Sequence, residues 1–410
     1  MKVKFITLGC KVNQYETQAL VEEFSFRGYE LTEEAADLYV VNTCSVTKRA
    51  DVKSKEAVSR AKKENPAAKI VICGCSAKDK KYYFDKSGVD LVIPQDKKHA
   101  LVDIVLGKPL SNKDIWSLKI SSFFNHRAFV KIQDGCDNFC SFCKIPYLRG
   151  RSRSRLPGQI IEEIERVSQK HKEIVLCGVN LGLYGKDLVE PQSLENLLER
   201  ILKISFLGRL RFSSLEPLLI TDKLLSFLNH PKVCPHLHLP FQSGDDGVLA
   251  AMNKKERVID YEAVVAKARD LNPEIAISCD IMVGFPAEDN PSFYNTVEFL
   301  KRTRPMRMHI FRFSPRQYTA FSETRIANSK ETHNRMQTLK KLAEEFSKEY
   351  RQKFLGRTLS MVAEEKKEGL IWGYADNYIR VCTKDDIALG EIATVKIEKI
   401  DNARTCAIKA

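Results

Sequence analysis

The stretch Gly135–Cys143, "GCDNFCSFC", sets three cysteines at Cys136, Cys140 and Cys143, with three residues and then two between them. A [4Fe-4S] cluster has four irons and ordinarily takes four thiolates. A triplet with no fourth cysteine close by leaves one iron open to a ligand that is not protein. A structural zinc site prefers four closed ligands, commonly from two separated pairs, whereas this run holds one pair and a single upstream cysteine. The spacing favours iron–sulfur over zinc and over free thiols.

Working outward, the triplet follows the apolar run "AFVKI" (128–132), the first of six candidate strands. The others are "EIVLCG" (173–178), "RLRFSS" (209–214), "HLHLP" (236–240), "ISCDIMVG" (277–284) and "MHIFRF" (308–313), with helical patterns such as "GQIIEEIERVSQ" and "DYEAVVAKARDL" between them. Strands alternating with helices predict a parallel sheet. Six of them predict a partial (β/α)6 barrel whose chemistry sits on the carboxyl-end loops. That face also receives Asn180, Ser213, Ser214, Glu216, Gln242, Asp280 and Arg316. Of these, Ser213, Glu216, Gln242 and Asp280 are the candidates for cofactor or substrate contacts. His236 and His238 form an H-x-H pattern that reads as packing on a strand rather than metal ligation.

Upstream, the first hundred residues also alternate strand-like and helical runs, which predicts a second open parallel sheet. Cys10, Cys44 and Cys75 each come just past one strand, one strand–helix unit apart. Open parallel sheets place their ligand crevice at those carboxyl ends, so three thiols distant in sequence are expected to converge on a second cluster site. Cys73 competes with Cys75; "GCSA" reads as the turn beyond the strand, which makes Cys75 the ligand and Cys73 its buried neighbour. A linker near 110–124 joins the two α/β regions.

The 410 residues carry a net charge of +13, concentrated in 301–357, where fifteen Lys and Arg face five Asp and Glu. Arg302, Arg304, Arg307, Arg312, Arg316 and Arg325 lie there, ahead of a basic helix over about 330–353. Such a surplus is the expected footprint of a polyanion, with nucleic acid the favoured partner. The run "RGRSRSR" places Arg149, Arg151, Arg153 and Arg155 just after the cluster loop, and these, with Arg316, are the candidate contacts to phosphates. Beyond Gly356, short alternating strands predict a small antiparallel barrel, with Tyr374, Tyr378 and Arg380 as candidates for stacking on bases or backbone, and with core packing the alternative for Trp372 and some of these aromatics. No apolar run approaches the ~20 residues of a membrane span, so a cytoplasmic protein with no membrane partner is expected. In that reducing compartment twelve cysteines read as metal ligands and small buried apolar groups.

"CDNFCSFC" with the following "IPYLRGRSRSR" resembles the signature of radical S-adenosylmethionine enzymes. The whole chain resembles their methylthiotransferase branch, through "LGCKVNQYE", "VVNTCSVT", "GVNLGLYG", "RFSSLEP", "HLHLPFQSG", "IMVGFP" and "DNYIRV". The resemblance implies three parts. Residues 1–118 form a flavodoxin-like domain holding an auxiliary [4Fe-4S] cluster on Cys10, Cys44 and Cys75. Residues 119–351 form the radical SAM barrel with a [4Fe-4S] cluster on Cys136, Cys140 and Cys143, and 352–410 form a TRAM-like RNA-binding barrel. Within the branch, "LGCKVNQYE" is similar to bacterial enzymes that act on N6-threonylcarbamoyladenosine at tRNA position 37.

On that resemblance, S-adenosylmethionine bound at the open iron is reduced by one electron, from a donor such as flavodoxin or ferredoxin, to give a deoxyadenosyl radical. A second S-adenosylmethionine methylates sulfur at the auxiliary cluster, and S-CH3 replaces hydrogen at carbon 2 of the adenine. No acid or base activates that C–H bond at neutral pH, which agrees with the lack of a carboxylate dyad or catalytic histidine. The alternatives are methylthiolation of isopentenyladenosine or of a ribosomal-protein aspartate, or, in another class, a non-catalytic zinc-containing RNA-binding protein. The loop "PRQYTAF" lacks the glycine usual in the family, which bears on substrate contacts near Gln317.

Overall fold

A computed structural model describes residues 1–79, 88–109, 114–324, 329–402 and 404–410. Arg325 and the first four residues of the linker lie outside the described residues. The amino-terminal sheet takes β1 (Lys2–Thr7), β2 (Glu30–Leu31), β3 (Leu38–Thr43), β4 (Lys69–Gly74) and β5 (Leu91–Val92) in the order β2-β1-β3-β4-β5, all parallel. This is the flavodoxin-like strand order. The central strands β3 and β4 are buried almost throughout, as their unbroken apolar runs dictate for a sheet covered on both faces. Helix α1 (Lys11–Phe26) follows β1, α2 (Lys48–Glu64) follows β3 and is capped by the Thr47 hydroxyl, and α3 (Cys75–Asp79) follows β4.

The central region contains β6 (Arg127–Lys131), β9 (Glu173–Cys177), β10 (Arg209–Phe212), β11 (His236–Gln242), β12 (Ala276–Val283) and β13 (Arg307–Arg312). Two parallel sheets, β6-β9-β10 and β11-β12-β13, are joined edge to edge by the bridges Leu210–Val233 and Ser214–His238. The result is the six-stranded partial barrel expected from the alternation. A short antiparallel pair, β7 (Gln133–Asp134) and β8 (Arg153–Ser154), brackets the cysteine triplet.

The amino-terminal region does not hang free of the barrel. Helix α1 packs on β6, and residues of both regions share one continuous apolar core. The Tyr15 hydroxyl donates to Glu163 at 2.9 Å, and Arg155 donates to the same carboxylate at 2.7 Å.

The last strands, β14 (Thr358–Lys367), β15 (Leu370–Ala375), β16 (Arg380–Thr383), β17 (Ile392–Ile400) and β18 (Thr405–Lys409), close into a barrel in the order β14-β15-β16-β18-β17. It docks at the amino ends of the central strands, opposite the cysteine triplet. There Glu173 accepts from Arg209 at 2.6 Å and Arg211 at 2.8 Å. The free ends of those guanidiniums donate to terminal-barrel carbonyls: Arg209 to Ser360 and Tyr374, Arg211 to Ala375 and Asp376. Tyr378 stacks on His236, ring centres 4.5 Å apart, and on Tyr374 at 5.0 Å. These two tyrosines therefore serve the contact between the barrels, which corrects their reading as base-stacking residues. Arg380 stays exposed, over the Trp372 ring.

Candidate active site

Between β7 and β8 the chain turns tightly enough to present three thiols from one loop. Gly135 has φ +72, and a Cβ there would stand 1.9 Å from the Arg151 carbonyl oxygen, so only glycine fits. The Cys136 amide donates to Gly150 and the Cys143 amide to Cys140, at 3.2 and 2.9 Å. A second loop clamps this one from the far side of the barrel. Ser141 donates through its amide to Met252 at 2.9 Å and through its hydroxyl to Ala251 at 2.8 Å, while the Asn253 amide group donates to Phe139 at 3.1 Å. Lys254, next in the chain, is buried beside Cys140 and pairs with Glu216 at 2.6 Å and Glu256 at 3.2 Å. Sequence reading missed Ser141, Asn253 and Lys254, since an exposed turn after a short helix looks the same without the loop it holds.

Burial pushes the Cys140 thiol up to about 12 and that of Cys143 to about 11, and raises Cys136. In the bare chain these groups stay protonated at neutral pH. A positive metal centre held by these groups would make them thiolates and release protons on binding.

The second set lies past the ends of three neighbouring strands. Cys10 caps α1, Cys44 follows β3, and Cys75 opens α3. Gly9 lets these segments meet: at φ +100, a Cβ would stand 2.9 Å from the Cys44 sulfur. Asn13 bridges the loops by donating to the carbonyls of Leu8 at 2.8 Å and Thr43 at 2.9 Å, and Ser76 donates to the Cys44 carbonyl at 2.9 Å. Cys44 is pushed up to about 12 by burial, then by Cys75 and Cys10 nearby. Cys73 lies inside the sheet, fully buried in the apolar core. Among the described residues no three His, Cys, Asp or Glu side chains are clasped around a single point as one metal ion requires. A cubane makes no such demand, because each thiolate binds its own iron.

Between the two thiol sets runs a buried charge network. Glu16 accepts from Lys98 at 2.6 Å, Lys131 at 2.9 Å and Arg149 at 3.0 Å. Asp134 accepts from Arg149 at 3.0 Å and Lys131 at 3.4 Å, and Arg149 also donates to Asn13 at 2.6 Å. Burial alone would raise the Glu16 carboxyl, but Arg149, Lys131 and Lys98 overcome it and hold it well below the usual range; Asp134 is lowered likewise.

This placement corrects three nucleic-acid candidates. Arg149 and Arg155 are buried on carboxylates, and Arg316 is buried with Asp51 at 2.6 Å and Ser45 at 3.0 Å. Long guanidinium groups in an arginine-rich run satisfy carboxylates before they reach solvent, because a buried unpaired carboxylate costs several kcal/mol. Arg153 is half-buried and donates to the Arg149 carbonyl. Arg151 remains open to solvent, its side chain 73% exposed. The basic segment is similarly depleted by pairing: Arg302 meets Glu262, Arg304 meets Glu349 and Arg335 meets Glu288.

A cavity of about 790 Å³ opens beside Cys143. Cys143 lines it from the barrel, and Val46, two residues past Cys44, lines it from the amino-terminal region, with Gln242, Asp280 and Arg316 also on its wall. Asp280 accepts from His238 and from His309, both at 3.1 Å, and Ser278 links His238 to His236. The histidines hold the Asp280 carboxyl low against its burial. Among the buried side-chain atoms of the described residues that have no protein partner are Asn180 Oδ1, Ser213 Oγ and Gln242 Oε1. Their residues lie at the carboxyl ends of β9, β10 and β11, on the triplet's face, and Asn180 reaches the Cys136 sulfur. Orphaned polar atoms beside three thiols are what a polar ligand on a cluster would satisfy, so the residues fit that group. Glu216 sits on the same face but is already engaged by Lys254.

A threonylcarbamoyladenosine tRNA methylthiotransferase MtaB from Thermotoga maritima is 36% identical over 396 residues, 92% of this chain and 90% of that protein. The chain belongs to the MtaB-like radical SAM methylthiotransferases. The MtaB of Bacillus subtilis is 33% identical, covering 97% of this chain and 94% of its own length. A tRNA-2-methylthio-N(6)-dimethylallyladenosine synthase from Fervidobacterium nodosum is 32% identical over 98% of this chain and 97% of its own. The radical SAM superfamily matches residues 130–300, and an uncharacterized protein family, UPF0004, matches residues 2–94. Among solved structures, the radical S-adenosylmethionine methyltransferase TsrM from Kitasatospora setae superposes with a TM-score of 0.59 at 13% identity, over 78% of this chain and 74% of that one, a likeness of fold. A radical SAM enzyme works with S-adenosylmethionine and a [4Fe-4S] cluster, and the triplet after β6 is this chain's candidate cradle for it.

Proposed function

We propose that this chain methylthiolates carbon 2 of N6-threonylcarbamoyladenosine at position 37 of tRNA. What supports the reading is a cavity lined by Cys143 of the triplet and by Val46–Arg49, the segment just past Cys44, in a chain whose Thermotoga and Bacillus relatives are named for that reaction. Cys136, Cys140 and Cys143 would hold the radical-generating cluster, and Cys10, Cys44 and Cys75 an auxiliary one. Bound there, the clusters and S-adenosylmethionine supply one-electron cleavage of a sulfonium to a carbon radical, and a methyl group for sulfur. Asn180, Ser213 and Gln242 would meet polar groups of the S-adenosylmethionine, and Asp280, held ionised by two imidazoles, would accept from its donors. The Glu16–Arg149–Asp134 network, with Arg149 also bonded to Asn13, ties helix α1 after Cys10 to the segments flanking the triplet and would hold the two sets in place relative to each other.

The same reading assigns residues 1–118, 119–351 and 352–410 to the auxiliary-cluster domain, the radical barrel and a TRAM-like RNA-binding barrel. Arg151 would contact tRNA phosphate, and a flavodoxin or ferredoxin would deliver the electron in the cytoplasm. No helix among the described residues is long and apolar enough to cross a membrane. Mass spectrometry of nucleosides from tRNA of cells with and without the gene tests the reading. Loss of the 2-methylthio derivative with accumulation of threonylcarbamoyladenosine is expected; an unchanged derivative, or loss of the dimethylallyl one instead, contradicts it.

A further inference from the structure

The cavity beside Cys143 has an apolar floor, including Met282, Phe311 and Phe313, and a basic rim of Lys48, Arg49 and Arg312. All three rim residues are exposed, and among the described residues none has a carboxylate partner. The two carboxylates of this region are already engaged, Asp51 with Arg316 and Asp280 with His238 and His309. Arg312 is aimed rather than loose: its Nε lies 3.0 Å from the Met336 sulfur and an Nη 3.4 Å from His333 on the long helix Ser329–Gln352. Lys48 and Arg49 open α2, whose entry is tied to the same wall by the Lys48 amide donating to Ser314 at 3.4 Å. Three unpaired cations around an apolar floor suit a flat base that carries an anionic arm, and a guanidinium matches a carboxylate's geometry two bonds at a time.

Resting on the function proposed above, we propose that Arg312, assisted by Lys48 and Arg49, binds the carboxylate of the threonyl arm and so selects the threonylcarbamoyl nucleoside. A dimethylallyl arm offers these cations no partner. It would leave them desolvated over an apolar group, which discriminates against that substrate.

The test uses anaerobically reconstituted protein without S-adenosylmethionine and four anticodon stem-loops. They carry at position 37 threonylcarbamoyladenosine, its methyl ester, dimethylallyladenosine or plain adenosine. Wild type is expected to bind the acid about tenfold or more tighter than the ester, as a charged hydrogen-bonded pair provides. Arg312→Gln abolishes that preference while its affinity for the plain loop is unchanged; Arg312→Lys keeps part of it, and Lys48→Gln with Arg49→Gln reduces it. Equal loss for all four loops would reveal a phosphate contact and overturn the proposal. So would a preference for the acid that survives when Arg312→Gln is combined with Lys48→Gln and Arg49→Gln, or that wild type lacks. Turnover separates the two readings. Wild type that methylthiolates threonylcarbamoyl tRNA while Arg312→Gln keeps the acid preference refutes the subsite alone, whereas wild type that acts on dimethylallyl tRNA instead refutes the reaction.

Discussion

Glu16, with its side chain 1% exposed, faces Lys98, Lys131 and Arg149 at once. Replacing it by Gln leaves three buried cations with Asp134 alone to balance them, so Glu16→Gln should lower unfolding stability by ~3–5 kcal/mol, read by urea denaturation. A change below about 1 kcal/mol would mean that the network is hydrated. The same groups set the acid response. Glu16, Asp134 and Glu173 have folded pKa values below their ordinary ones. A carboxyl of this kind contributes stability that is complete above its unfolded pKa and is lost as pH falls toward the folded value. The urea midpoint should therefore fall as pH drops below about 4 and stay flat with respect to these groups from 5 to 7. None of this was legible beforehand. Glu16 in "YETQALVEEF" reads like Glu22 or Glu23, and Arg149 and Arg155 read as a phosphate-binding run, because burial belongs to the packed molecule and not to the residue. Cys73 lies inside a strand and Cys75 opens a helix, and separate Ala variants of the two with iron analysis assign the ligand.

At the scale of elements, the loop from Gly135 to Cys143 depends on one backbone conformation. Gly135→Ala meets both the positive φ and the Arg151 carbonyl, so the loop must shift and its thiols with it. Iron in the reconstituted protein should fall from about eight to about four atoms per chain, the remaining cluster staying on the other set; full iron content would show that the loop tolerates the shift. The strands and the position of both cysteine sets at carboxyl ends followed from the alternation of strand and helix patterns, with β3 and β4 reading as unbroken apolar runs because they are covered on both faces. Special backbone positions did not follow. Gln242 ends β11 at φ +63, and Tyr318 takes φ +70 in the loop "PRQYTAF", so the left-handed residue of a loop without glycine is a tyrosine, packed 6.2 Å from the Tyr147 ring.

Over the whole molecule, the two ends of the central barrel have separate duties. Thiols, cavity and amino-terminal sheet gather at the carboxyl ends, while the terminal barrel is seated on Glu173, Arg209 and Arg211 at the amino ends. Glu173→Gln leaves Arg209 and Arg211 without their shared carboxylate, so the terminal barrel should loosen. Limited proteolysis near Gly356 should quicken severalfold while the iron content holds; an unchanged cleavage rate would assign the seating to the apolar contacts. The sequence marked this unit as a barrel through its strand lengths and Gly–Asn turns. Its seat was invisible, because the residues that bind it lie some 150 positions upstream. That cavity and seat are at opposite ends implies that a tRNA reaching both must run along the outside of the central barrel.

Iron and sulfide analysis of three anaerobically reconstituted proteins tests the central claim most directly: wild type, Cys10/Cys44/Cys75→Ala and Cys136/Cys140/Cys143→Ala. Two independent three-thiol sites predict about eight irons in wild type and about four in each variant. Stoichiometric zinc in place of iron, or a triple variant that keeps all the iron of wild type, would contradict it.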